Sequence, residues 1–310
     1  MIVLPRNTAD PAGQDKRERA AIARFDKAFS GILRDALALL AKQKYRKITL
    51  SNPFATNAAD DVVKYQFEVD EVSMELTAAD IDEIVDRWLE IRGDGNDQWL
   101  ATEYAIPAYQ QGTGIALANL SAQSKVYKDA RQSLSALIMT PEYRRRVGFV
   151  KGRVFESMKG LSASAKERLR TALVDGMTQG MNPLAIAENI KDAVGGSLNR
   201  ARTIARTEIT TAMRRSRIEE GEQAALDFDF RVMMMQLSAL SSTTRISHAR
   251  RHGKLFTFEQ ARVWMSTSPN MINCKCTFVE VIVGADGKPL AKGVQDRAKQ
   301  MYDKSPFAGQ

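Results

Sequence analysis

The chain has 310 residues, 44% hydrophobic, 7% aromatic and 26% charged, with a formal net charge of +8. That length exceeds a usual single domain of roughly 100–200 residues, and the composition suits a helix-rich soluble protein, so two domains, or one with an extended arm, are expected. No apolar run approaches the roughly 18 residues of a membrane-spanning helix. Met1 to Arg6 also lack the basic start and apolar core of a signal peptide, which points to synthesis in the cytoplasm and to no membrane partner.

Residues 1–14 read as a flexible arm punctuated by Pro5, Pro11 and Gly13. A helix is expected from Asp15 to about Lys44, with Ile22, Phe25, Phe29, Leu33, Leu37 and Leu40 on one packing face. Ser51 to Asn57 reads as a loop, and Val63, Tyr65, Phe67 and Val69 alternate as a short strand. Thr77 is taken as the N-cap of a helix carrying Ile81, Ile84, Val85, Trp88 and Leu89. Arg92 to Asp97 is a turn; its Arg-Gly-Asp needs no adhesion role. A long helical stretch should follow to Met139, kinked at Pro107.

Thr140-Pro141 starts a basic helix, Ser162 and Ser164 look like caps for another running to Gln179, and Asn182-Pro183 opens a third that Gly195-Gly196 should end. A last long helix is expected from about Asn199 to Ala225. Phe228 to Met234 and Thr277 to Val283 then alternate like two strands, the second ending at the turn Gly284 to Gly287. The fold class is therefore mainly α, with long helices in the N-terminal two thirds and a small C-terminal α+β module. The expected domains are an N-terminal helical arm and docking region (1–140), a basic helical domain (141–226), the α+β module (227–285) and a loose charged tail (286–310).

Charge is uneven. Residues 60–103 hold 14 acids and 3 bases, whereas residues 142–217 hold 16 bases and 7 acids. The basic block, with Arg144, Arg145, Arg146, Lys151, Arg153, Arg214 and Arg215, suits non-specific contact with DNA phosphates, or simply solvated helix faces. Arginines without interleaved aromatics argue against stacking on single strands.

Both histidines, His248 and His252, and both cysteines, Cys274 and Cys276, fall within 29 positions. Three readings compete. On one helical turn the imidazoles would point the same way, and on a strand end the thiols would share a face. Together they would complete the closed tetrahedral shell of a structural zinc. Alternatively, His248 to Arg251 matches the His-X-X-Arg box of tyrosine recombinases, with Arg206 as a first arginine and Tyr302 as nucleophile. Only 42 residues separate Arg206 from His248, too few for the elements those enzymes place between the boxes. A cysteine nucleophile would lack an orienting third group. In the third reading the histidines pair locally and the thiols are small buried hydrophobes.

Thr203 to Glu208, with Arg206-Thr207-Glu208, resembles the Ala-Arg-Thr-Glu helix of phage head morphogenesis proteins, the Mu F-like and SPP1-type minor head proteins. In that family an Asp-X-Arg-Thr-Arg-X-X-His segment, a glycine turn and a terminal Asn-Cys-Arg-Cys follow. Ser241 to His248 with Arg245, His252-Gly253-Lys254, and Asn273 to Cys276 stand in those places. The family's aspartate is Ser241 here, its first arginine Thr243, and the arginine between the cysteines Lys275. Loss of the carboxylate speaks against a general base. The resemblance implies a non-enzymatic minor capsid protein in few copies, inside the virion near the portal vertex. Its partners would be the portal, the major capsid or scaffolding protein, and packaged double-stranded DNA. The alternative is a DNA-acting enzyme using His248.

Overall fold

The computed structural model describes residues 2–50, 62–91, 98–131 and 133–309, so the expected loop at Ser51 to Asn57 and turn at Arg92 to Asp97 lie outside the described residues. In chain order the elements are α1 (Asp15–Ala41), β1 (Tyr45–Leu50), β2 (Val62–Phe67), α2 (Glu71–Leu89), a π-helical segment (Leu100–Ala105), α3 (Ile106–Ser121), α4 (Lys125–Ala130) and α5 (Leu134–Leu137). There follow α6 (Pro141–Arg170), a second π-helical segment (Thr171–Asp175), α7 (Gly176–Thr178) and α8 (Pro183–Phe228). The C-terminal module holds β3 (Val232–Leu237), α9 (Ile246–Ala249), β4 (Leu255–Phe256), α10 (Phe258–Ser266), β5 (Thr277–Ile282) and α11 (Val294–Asp303). The chain is thus mainly helical, with a small C-terminal sheet, as its periodicity indicates.

Two units emerge, Met1–Ala21 with Trp99–Val154 and Thr203–Gln310, and Ile22–Gln98 with Phe155–Arg202. They interleave segments that consecutive boundaries at 140, 226 and 285 keep apart. The reason is helix length: α1, α6 and α8 contain 27, 30 and 46 residues, and each crosses a unit boundary.

In the second unit α1 contributes Phe25, Phe29, Ile32 and Ala36 to the core, with Ile81, Val85 and Leu89 of α2 and Met158 and Leu161 of α6 also buried. Of the expected stripe on α1, Phe25, Phe29 and Leu40 are buried, whereas Ile22, Leu33 and Leu37 are only half-buried and Ile32 and Ala36 take the core positions beside them. Gly31 is required by packing, since a Cβ there would lie 2.3 Å from Trp88. Asp70 caps α2 by accepting from the Ser73 amide while the Ser73 hydroxyl accepts from Asp70. Thr77 therefore lies inside the helix, buried, with its hydroxyl donating to the Ser73 carbonyl. The strand β1, which the alternation of so short a segment did not reveal, pairs antiparallel with β2 from Tyr45↔Phe67 to Leu50↔Val62.

The caps at Ser162 and Ser164 and the stop at Gly195-Gly196 do not form. Ser162 is buried within α6 and donates to Asp86, and α8 runs through both glycines. A Cβ at Gly196 would come 2.6 Å from the Arg168 guanidinium. Asn182 does open α8, its side chain accepting from the Leu184 amide.

In the first unit the stretch expected as one kinked helix is not one element: the π-helical segment runs without a break into α3, with Pro107 at the junction, and α4 and α5 follow as separate short helices. The sheet has the order β4-β3-β5 and is antiparallel, with β3 and β5 in register from Val232↔Ile282 to Leu237↔Thr277. Both faces are covered. Met235, Leu237, Val279 and Val281 pack with Ile2, Val294 and Ala298. On the opposite face Met234 and Phe278 pack with Ile218, Ala261 and Met265.

Two expectations are corrected here. The arm is not loose: Ile2 is fully buried, and Asp10 accepts from the amides of Gln14 and Asp15 at the start of α1. The tail is not loose either, because α11 seats Val294 and Ala298 in the core, while Phe307 packs with Leu240 and Ala249. Apolar residues spaced singly among charges hid both.

Candidate functional site

Asn273 is the pivot of the site. Its backbone is left-handed (φ 52°), a conformation asparagine tolerates, and its amide donates to the Thr207 hydroxyl of α8 at 3.2 Å. This ties the Arg206-Thr207-Glu208 motif to the turn that delivers Cys274 and Cys276 to the start of β5. From the other side, Arg245 precedes α9 and donates to the Ile272 carbonyl at 2.9 Å. The short helix presents His248, whose Nδ1 lies 3.4 Å from the Cys274 sulfur and 3.5 Å from that of Cys276. The three residues are buried, with their ligand atoms within 4.8 Å of one another.

His252 is not part of this group. The helix α9 ends at Ala249, so the two imidazoles do not share one helical face. His252 Nδ1 instead accepts from the Ser238 amide at 3.1 Å, and its ring lies near Tyr302. Gly253 makes the turn beyond it with φ 72°, and its amide donates to Gln236. Ser238 thus positions both histidines, since its hydroxyl donates to the His248 carbonyl. Nothing in the sequence marks Ser238 beyond its place at the end of β3.

The recombinase-like grouping does not assemble around His248. Arg251 is sandwiched over Phe256 and Trp264, its carbon 3.6 and 4.1 Å from the ring centres, and donates to Gln236. Tyr302 approaches His252 instead.

A cavity of about 500 Å³ opens onto the trio. Arg206, Arg245 and Lys275 line it, together with Ser241, Thr243, Thr244 and Asn273. No carboxylate among the described residues does. Lys275 is paired with Asp15 at 2.5 Å, whereas Arg206 makes no ion pair among the described residues. Behind the thiols Arg214 is 2% exposed; its Nε has no hydrogen-bond partner among the described residues, and Nη2 reaches Thr211 only at 3.5 Å. The Cys274 thiol is pulled down, first by the hydrogen bond from Cys276, then by the nearby charge of Arg214 and by His248. The same hydrogen bond and burial push Cys276 up.

Of the seven basic residues assigned to DNA, the structure leaves few for that role. Arg214 is inside the protein, which removes it as a surface contact. Arg146 bonds Gln223 and faces Glu220, Arg153 holds Glu208 at 2.7 Å, and Arg215 pairs with Glu219 at 3.2 Å. Alternation of charge along α6 and α8 supplied these internal partners, which a one-sided count of bases does not register. Arg144 and Arg145 are exposed and Lys151 is half-buried, with no ion pair among the described residues.

Residues 167–279 match the family model for Phage Mu protein F like protein, a span that contains the Thr207–Asn273 link and the whole trio. Over 281 residues the chain is 25% identical to the minor head protein GP7 of Bacillus phage SPP1, covering 84% of this chain and 82% of that protein. No solved structure matches the chain. No helix among the described residues is long and apolar enough to cross a membrane.

Proposed function

We propose, from the premise that the chain is a relative of the phage head morphogenesis proteins, that it is a minor head protein acting inside the capsid near the portal. The observation that carries this reading is the extent of the likeness. It runs over 84% of the chain and 82% of the relative, so it concerns a whole protein and not one shared module. The role is structural: it docks on portal, capsid or scaffolding subunits during assembly and contacts the packaged duplex.

Surface chemistry supports two separate contacts. Arg144 and Lys151 stand seven residues apart on α6, hence on one face, with Arg145 beside them. That patch suits phosphates without reading sequence. On α2, Val72 and Leu76 are 64% and 61% exposed among the acids Glu71 and Glu75. Four residues apart on one face, they form an apolar pair suited to helix-in-groove docking. The α1 stripe does not serve this purpose, because Phe25 and Phe29 are consumed by the chain's own core.

The test is co-purification with the cognate portal. The full chain should be retained by immobilised portal, and Val72→Glu with Leu76→Glu should abolish retention while leaving the helical spectrum intact. A chain that binds neither portal, capsid nor scaffolding subunits would sink the proposal.

A further inference from the structure

We infer that His248, Cys274 and Cys276 bind one zinc-class divalent ion with three protein ligands, leaving a fourth position that faces the Arg206–Arg245 cavity. The geometry is the first argument. Zinc–sulfur bonds of about 2.3 Å and zinc–nitrogen bonds of about 2.0–2.1 Å place the N···S edges of a tetrahedron at about 3.6 Å. The two edges here are 3.4 and 3.5 Å. A single ring nitrogen presented almost equally to two sulfurs is poorly suited to one hydrogen bond, which has one direction. A central ion asks for that arrangement.

The second argument is what surrounds the trio. Cys274 and Cys276 are free, buried, and brought together by a left-handed residue at position 273 and by the Thr207 hydroxyl, devices unnecessary for two small hydrophobes. Two thiolates and one imidazole are a soft donor set that favours zinc over magnesium or calcium. His252, which would close the shell, is committed to the Ser238 amide. The cavity reaches His248, Cys274 and Cys276 directly, so the open position is accessible from it.

The third argument is charge. Two thiolates neutralise a divalent ion, and the imidazole adds nothing. The buried Arg214 then stands without a carboxylate partner among the described residues. An anion as fourth ligand, hydroxide or a small oxyanion, would balance it, and the acid-free cavity wall with Arg206 and Arg245 favours the same sign of ligand. The site is therefore open to exchange, unlike the closed shell of a purely structural zinc.

The experiment uses the full chain, purified reduced, stripped with a chelator and then titrated. Elemental analysis of the protein before stripping should give one zinc per chain. Cobalt(II) added to the stripped protein should give the intense visible bands of a tetrahedral thiolate site, saturating at one equivalent. Cys274→Ser, Cys276→Ser and His248→Ala should lose the bands, and His252→Ala should keep them. Inorganic phosphate should shift the cobalt bands if the fourth position is open; unshifted bands would contradict that openness. To separate ligand loss from misfolding of the variants, stripping and reloading the wild-type chain provides an independent readout, with thermal stability expected to fall and recover. Negligible zinc in native protein with no cobalt bands in the reduced, folded wild type would overturn the site. So would loss of the bands in His252→Ala to the same extent as in His248→Ala.

Discussion

Replacing Arg217 with methionine should destabilise the protein by about 3–5 kcal/mol, the usual cost of leaving one member of a buried ion pair unpaired. Arg217 of α8 holds Glu280 of β5 through two hydrogen bonds of 2.7 Å, and the two side chains are 2% and 0% exposed. Asn119 adds a third bond to the same carboxylate at 3.3 Å. With charge centres about 4 Å apart and an effective dielectric near 20, their attraction is about 4 kcal/mol, in line with that range. Desolvation offsets much of this in the intact pair, so Arg217→Met with Glu280→Leu should recover most of the loss. Urea unfolding of wild type, both single variants and the double variant measures the coupling. A double variant no better than the arginine single would refute the reasoning.

Other consequences can be checked alongside. Gly112→Ala should cost about 1–3 kcal/mol in thermal melts, because its Cβ would lie 2.0 Å from the Ser216 hydroxyl and 2.5 Å from the Met213 carbonyl. Gly148→Ala, with nothing within 4 Å of the added carbon, should instead stabilise α6 by up to about 1 kcal/mol. Burial lowers the His252 pKa, so its share of stability is complete above about 6.5 and is lost as pH falls. His252→Gln should flatten the change in urea midpoint between pH 7.5 and 5.5, and an unchanged slope would contradict this. Duplex DNA binding by roughly three free cations predicts log K against log salt with a slope of about −2.7, and Arg144→Ala should reduce its size by about 0.9. A slope near that of seven contacts would mean that the paired arginines open to DNA.

Much of the helical order was legible because its signals are local. Asn182-Pro183 and Thr140-Pro141 state helix starts by their own chemistry, and the strand expected over 277–283 forms at 277–282, whereas the one expected over 228–234 begins only at Val232 and runs to Leu237, because α8 continues to Phe228. The failures share another physical origin. Gly195-Gly196 reads as a stop, yet tertiary packing carries α8 through it. Ser162 reads as a cap, yet its hydroxyl is occupied by Asp86 across 76 positions. Arg214 and Arg217 count as surface charge until the thiols and Glu280 appear as their surroundings. The site was half legible: spacing brought both cysteines and both histidines into view, of which the structure groups His248 alone with the thiols, and the family likeness placed Arg206, Thr207 and Asn273 beside them. That His252 turns away depends on where α9 stops and on the Ser238 amide, neither of which a residue pattern encodes.

Quantitative mass spectrometry of purified virions tests most directly the proposal that this chain is a component of the phage head. The chain is expected inside nuclease-treated particles, in a few copies per head and far below the major capsid protein. Absence from both virions and assembled heads, or abundance equal to that of the major capsid protein, would contradict it.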